Sequence, residues 1–281
     1  MRTLLNELVD YAGLFPPARL AMADAVPEYI GARTGAYAWM LGRFIVPFSR
    51  AGELVERSPQ GSSLELSVIL DGGVADLAQV PHSIGPHRVK AVEVVLQPEE
   101  VEQFARTRAR SAVAEIPAYI EFQRNGSWSD RVVAMMHSVK AVQAGAKVRC
   151  GGVNAGAFPS CEELALFIEA ACREDVPFKA TAGLHHPFPH TDPASGVRMH
   201  GFMNLLTCTA LARAAAPRAQ LIAALKCADV SAFGFDDQSV TFQGETMDVQ
   251  AIAAMRQRSF VSYGSCSFEE PVDDLRALGI L

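Results

Sequence analysis

The chain has 281 residues, enough for one large α/β domain or two small ones. Hydrophobic residues make up 49% of it and charged residues 20%, which excludes an extended disordered polymer. With a formal net charge of -6 and its basic residues scattered, general electrostatic attraction to nucleic acid or to anionic membrane is excluded as well.

The first ten residues carry Glu7 and Asp10 where a signal peptide needs an unbroken apolar core, and no window reaches the length of a membrane span. Six cysteines are present without CxxC spacing or a compact disulfide framework. They are expected as small core residues in a reducing, cytoplasmic setting.

From the N-terminus onward, apolar runs of strand length alternate with segments of helical period. Predicted strands cover residues 8–15, 42–47, 64–70, 90–96, 118–122, 146–152, 178–183 and 259–264. Predicted helices follow them, among them 22–33, 53–57, 75–80, 99–109, 131–144 and the run to about 173 opened by Ser160-Cys161-Glu162-Glu163, an S-x-x-E capping box. Ser267-Phe268-Glu269-Glu270 repeats that pattern before the last helix. The run Arg106 to Arg110 lies on a predicted helix and reads as a solvated face. Eight strand–helix units in order predict a single (β/α)8 barrel over residues 1–281. An open doubly wound sheet is the alternative, but no G-x-G-x-x-G follows the first strand. The interval 187–247, between the seventh and eighth strands, is an insert of helices and a hairpin, expected as a lid or a homodimer contact.

The seventh strand and its exit, Pro177 to His190, hold one lysine and three histidines. Alternation puts Lys179, Thr181 and Gly183 on one face. Four consecutive strands each carry an ionisable residue among apolar neighbours: Glu93, Glu121, Arg149 and Lys179. In a barrel such side chains converge on the axis, either as a buried ion network that fixes strand register or as a site at the C-terminal ends of the strands.

The catalytic expectation gives each group a role. Lys179, beside Arg149 and low-dielectric walls, is expected to have a lowered pKa and to form a Schiff base with a carbonyl substrate. Glu121 moves protons, with His185 or His186 as a second acid or base. Arg149, the amides of Gly151 and Gly152, and Thr181 hold a small anionic metabolite, and Ser262, Gly264 and Ser265 offer a further anion site. Glu93, Arg43 and Asp71 are expected as structural or proton-relay groups.

Phe178-Lys179-Ala180-Thr181-Ala182-Gly183 resembles the Lys-Thr-Ser-Thr-Gly strand of the deoxyribose-phosphate aldolases, class I barrel enzymes in which that lysine is the Schiff-base residue. The likeness covers about six positions and implies an aldolase- or dehydratase-type lyase without a cofactor. It departs from the family in placing the lysine on the seventh rather than the sixth strand, and in lacking a second lysine on the eighth. Two further expectations compete. One is a divalent-metal enzyme with His185, His186, His190 and Glu121 as ligands, and His200 farther along the chain. The other is a barrel that binds a metabolite without turning it over.

Overall fold

A computed structural model describes residues 1–124, 128–152, 157–192, 196–236 and 238–281. Eight parallel strands close into a barrel: β1 (Val9–Tyr11), β2 (Leu41–Pro47), β3 (Glu65–Ile69), β4 (His87–Leu96), β5 (Ala118–Phe122), β6 (Gly145–Arg149), β7 (Phe178–Thr181) and β8 (Phe260–Ser265). Closure comes from β1 pairing with β8 and from β3 pairing with β4. The (β/α)8 architecture expected from the strand–helix alternation is the one observed. The predicted first strand is cut to three residues, although Ala12 N still donates to Ser265 O at 2.6 Å.

The outer face of the barrel carries the apolar half of the alternation. Val9, Phe44, Val46, Leu66, Val92, Ile120, Val148, Phe178 and Phe260 are all buried there against the helices. An aromatic ladder crosses this layer: Phe178 stacks on Phe260 with centroids 5.1 Å apart, Phe167 meets Phe178 edge-on at 5.5 Å, and Trp128 stacks on Phe167 at 6.1 Å. It ties β7 and β8 to the helices Trp128–Ala141 and Cys161–Glu174. The capping box read from the sequence opens the Cys161–Glu174 helix, with Ser160 Oγ accepting from Glu163 N and Glu163 Oε2 accepting from Ser160 N. At the last helix, Glu269–Ala277, Ser267 Oγ accepts from Glu270 N at 3.2 Å. Arg108 is less solvated than its run suggested, because its guanidinium donates to the carbonyls of Ile116, Val142 and Gln143.

After β7 come the short antiparallel strands His190–Thr191 and Arg198–Met199, the buried helix Phe202–Arg213, the helix Arg218–Lys226 and a three-stranded antiparallel sheet. Phe202 stacks on Tyr263 of β8 at 5.2 Å, so the Phe202–Arg213 helix belongs to the layer that covers the barrel. Among the described residues no helix is long and apolar enough to cross a membrane.

Candidate active site

The barrel interior is polar, and the register explains which side chains share it. Lys147 on β6 is the register partner of both Glu121 on β5 and Lys179 on β7, and Ser262 on β8 is the partner of Lys179. Alternation then sends Lys147 and Arg149 to the same face, along with Glu93, Glu121 and Lys179. These residues meet in one chain of ion pairs. Arg149 Nε contacts Glu121 Oε1 at 2.8 Å, Lys147 Nζ stands 3.2 Å from Glu121 Oε2 and 2.8 Å from Glu93 Oε2, and Lys179 Nζ reaches Glu93 Oε1 and, at 2.6 Å, Asp10 Oδ2. At the far end Arg43 lies 3.8 Å from Asp10 Oδ2 through its guanidinium and donates its backbone N–H to Asp10 Oδ1 at 2.7 Å.

Two hydroxyls complete the set. Ser67 Oγ donates to Glu93 Oε1 at 2.6 Å and accepts from Lys179 at 3.3 Å, while Ser262 Oγ donates to Asp10 Oδ2 at 2.8 Å. Every one of the eight strands thus supplies at least one member. Tyr119 places its ring 5.4 Å from the Lys179 ammonium. Gly42 makes room for the arrangement, since a Cβ there would come 2.3 Å from Asp10 Oδ1.

Burial and charge pull against each other in this network. Burial alone would raise Glu93, but the ammonium groups of Lys147 and Lys179 outweigh it and hold the carboxyl well below its ordinary range. Burial would likewise raise Glu121, and Lys147 and Arg149 bring it down. The expectation of a lowered Lys179 is overturned. Burial does push that way, but the lysine sits between Asp10 and Glu93 rather than beside Arg149, and the two carboxylates raise it above its ordinary value. Lys147 is raised in the same manner by Glu93 and Glu121.

The network runs from the interior to the surface. The Lys179 side chain is 1% exposed and that of Arg149 45%. At the Arg149 end a cleft of about 220 Å³ is lined by Glu121, Phe122, Arg124, Trp128 and Arg149 among others. Val95, the register partner of Glu121, is exposed on the same side of the barrel.

Other expected site residues fall elsewhere. His185 Nδ1 lies 3.3 Å from Glu270 Oε2 and 3.8 Å from Cys266 Sγ. His186 bonds Asp274 through Nδ1 and packs against the His190 ring at 4.1 Å. The histidines therefore face the first turns of the last helix, and no contact joins them to Lys179 or Glu121 among the described residues. The metal set of His185, His186, His190 and Glu121 is not assembled: Glu121 is held by Lys147 and Arg149, and among the described residues no group of three or more His, Cys, Asp and Glu could hold a metal ion. His200 is buried and bonds Pro159 O at 2.7 Å.

Ser262 Oγ donates its proton to Asp10, while Ser265 Oγ accepts from Ser267 N at 3.4 Å and keeps its own O–H. Asp71 bonds Ser49 through N–H and Oγ instead of joining the relay. Gly151 and Gly183 serve close backbone approach: a Cβ on Gly151 would come 2.7 Å from Gly183 Cα. Thr181 sits above Lys179 on the inner face, where a Cβ on Gly264 would lie 3.4 Å from its Oγ1. Cys150 is buried and its thiol is pushed up to about 12, no state for a nucleophile near neutral pH.

Lys147, Asp10 and Ser67 join the site without having been expected there. Lys147 carries a signal, because Lys147-Val148-Arg149 puts two cations on one face by simple alternation. No protein-family model matches the chain, and no curated protein matches it either.

Proposed function

We propose that the chain is a lyase that makes or breaks a carbon–carbon or carbon–oxygen bond in a small carboxylated or phosphorylated carbonyl compound, through a Schiff base on Lys179. The observation that supports this is the interleaving of two buried lysines with three carboxylates inside the barrel, extended by Arg149, the last residue of β6, to the cleft at the end where enzymes of this architecture work. Asp10 and Glu93 hold the Lys179 ammonium charged, so a bound substrate must first loosen these contacts before the proton can pass to Glu93. Once that proton passes to Glu93, the free amine attacks the carbonyl carbon, and the carbinolamine loses water to leave an iminium that draws electrons from the adjacent bond. Glu121, at the boundary between network and cleft, takes or returns the substrate proton. The six free cysteines suit a reducing, cytoplasmic setting, and the parts of the 187–247 interval outside the buried Phe202–Arg213 helix are where a lid or a homodimer contact would form.

The full burial of Lys179 and its two carboxylate partners also favours a second reading, a barrel that binds an anionic metabolite without turnover. Borohydride separates the two. The protein is incubated with a panel of 2-oxo acids and sugar phosphates, reduced and mapped by mass spectrometry. A reduced adduct on Lys179, absent from Lys179→Arg, is expected. Turnover without any adduct would sink the Schiff base, and binding without turnover or adduct would leave the binding barrel.

A further inference from the structure

The Lys179 ammonium has three hydrogens to donate, and among the described residues three oxygens receive them: Asp10 Oδ2 at 2.6 Å, Glu93 Oε1, and Ser67 Oγ at 3.3 Å. A carbonyl carbon reaches the nitrogen only where one of these contacts gives way. Two of the partners are carboxylates, whose attraction for the ammonium is strongest away from water. Ser67 is uncharged and its contact is the longest, so that corner of the ammonium opens at the lowest cost. A carbonyl that draws the nitrogen toward it loosens the grip of Asp10 and Glu93. Ser67 also touches the proton's destination, because it donates to Glu93 Oε1 at 2.6 Å. Ser262 differs: it donates to Asp10 and has no contact with Lys179 among the described residues.

The cover over the network points to the same corner. Side chains alternate along each strand, so the residue two positions on from an inward one lies one layer nearer the C-terminal ends. Above Asp10, Arg43 and Ser262 these residues are Ala12, Ile45 and Gly264, all buried. Above Ser67 and Lys179 they are Ile69 and Thr181, both half-buried, and above Glu93 stands Val95, 39% exposed. The lumen is therefore roofed over β1, β2 and β8 and thinly covered over β3, β4 and β7, the strands of Ser67, Glu93 and Lys179.

We propose that Ser67 is a catalytic residue of the lyase described above, on whose Schiff-base reading its role rests: the substrate carbonyl enters at the Ser67 corner of Lys179, and the Ser67 hydroxyl protonates the carbonyl oxygen as the amine attacks the carbon. Lys179 passes a proton to Glu93 Oε1, and its nitrogen bonds to the carbonyl carbon while the π electron pair moves onto oxygen. Ser67 Oγ–H protonates that oxygen, and the proton held by Glu93 replaces the one Ser67 gave. The product is a carbinolamine whose nitrogen bears the positive charge, beside a Glu93 that is a carboxylate again. The buried site thus ends the step with the charges it began with, and no net charge is added away from water.

The rate at which borohydride traps an adduct on Lys179 tests this, read by mass spectrometry with whichever of pyruvate, 2-oxobutanoate and glyceraldehyde 3-phosphate labels the wild type. Ser67→Ala should lower that rate about 100-fold, the worth of a well-placed acid, with the fold checked by urea unfolding. Ser262→Ala should lower it far less, and Ser67→Thr, which keeps a hydroxyl, should recover much of the loss. In mixtures of light and heavy water the wild-type rate should fall along a curve, since two protons move together, and that of Ser67→Ala along a straight line. If Ser67→Ala does not fold, Ser67→Cys takes its place, with similar volume and only a weak donor. Equal rates in wild type and Ser67→Ala, an equal loss in Ser262→Ala, or a straight wild-type line overturns the role of Ser67, while the adduct itself upholds the Schiff base. No adduct on the wild type from any of the three compounds sinks the Schiff base and the role of Ser67 together.

Discussion

Lys147 and Lys179 are register partners on adjacent strands, and Glu93 bridges them with one carboxylate oxygen on each ammonium. Like charges set directly opposite each other destabilise a sheet. Here the pair is tolerated because a carboxylate from β4 reaches across the barrel between them. The interior is thus held by alternation of sign, and taking out one charge leaves each buried neighbour with one ion-pair partner in place of two.

Lys179→Met tests that dependence. It leaves Glu93 with Lys147 as its one cation and Asp10 with the more distant Arg43, and breaking a buried pair on one side costs about 3–5 kcal/mol. Urea unfolding should show a loss of that order. Adding Glu93→Gln to Lys179→Met should recover part of it, since the second change removes one of the under-paired charges. A strictly additive double variant would count against the network as a unit.

Acid and alkali should destabilise the protein for opposite reasons. Glu93 and Glu121 are depressed in the folded chain, so their contribution is present above the unfolded carboxylate pKa, about 4.3, and is lost as pH falls through their folded values. Lys147 and Lys179 are raised, so theirs is present below the unfolded lysine pKa, about 10.4, and is lost as pH rises through the folded values. The melting temperature should be flat between these limits. Its acid limb should be shallower in Glu93→Gln, and an unaltered acid limb would mean that other carboxylates govern it.

Gly183→Ala probes the seam between the β6 and β7 exits. Gly183 has φ +69° and a Cβ there would lie 2.8 Å from Cys150 O, whereas Gly61, at φ +81°, has open space around it. The left-handed conformation costs both alanine variants about 1 kcal/mol. Only Gly183→Ala adds a clash with backbone, for a further loss of about 1–3 kcal/mol. Equal losses in urea unfolding would show that the seam yields.

The barrel and its inward charges are legible in the sequence because strands announce themselves by composition. Glu93, Glu121 and Lys179 each interrupt an apolar run, and an interruption on an internal strand has only the axis to face. Asp10 carries the same mark in Val9-Asp10-Tyr11, but the strand is three residues long and its neighbours hide it. Pairing across the lumen leaves no such mark. Alternation sets Lys179 beside Arg149, two inward residues of neighbouring strands, whereas its partners come from β1 and β4. The histidines escape for a related reason: their partners Glu270 and Asp274 lie one helical turn apart near the chain's end, a placement that only the closed barrel reveals.

The eight-strand membership of the charge network divides unevenly along the chain. Strands β1 to β4 contribute Asp10, Glu93 and a single cation, Arg43, while β5 to β8 contribute both lysines, Arg149 and a single acid, Glu121. Cut between β4 and β5, the first piece would be left with net negative charge and the second with net positive charge on faces meant for the interior. Neither piece can neutralise that face alone, so each is a poor candidate for independent folding and a good electrostatic partner for the other. In synthesis from the N-terminus, the carboxylates of the first half wait in water until the lysines emerge, and the interior is settled only when the last strands arrive.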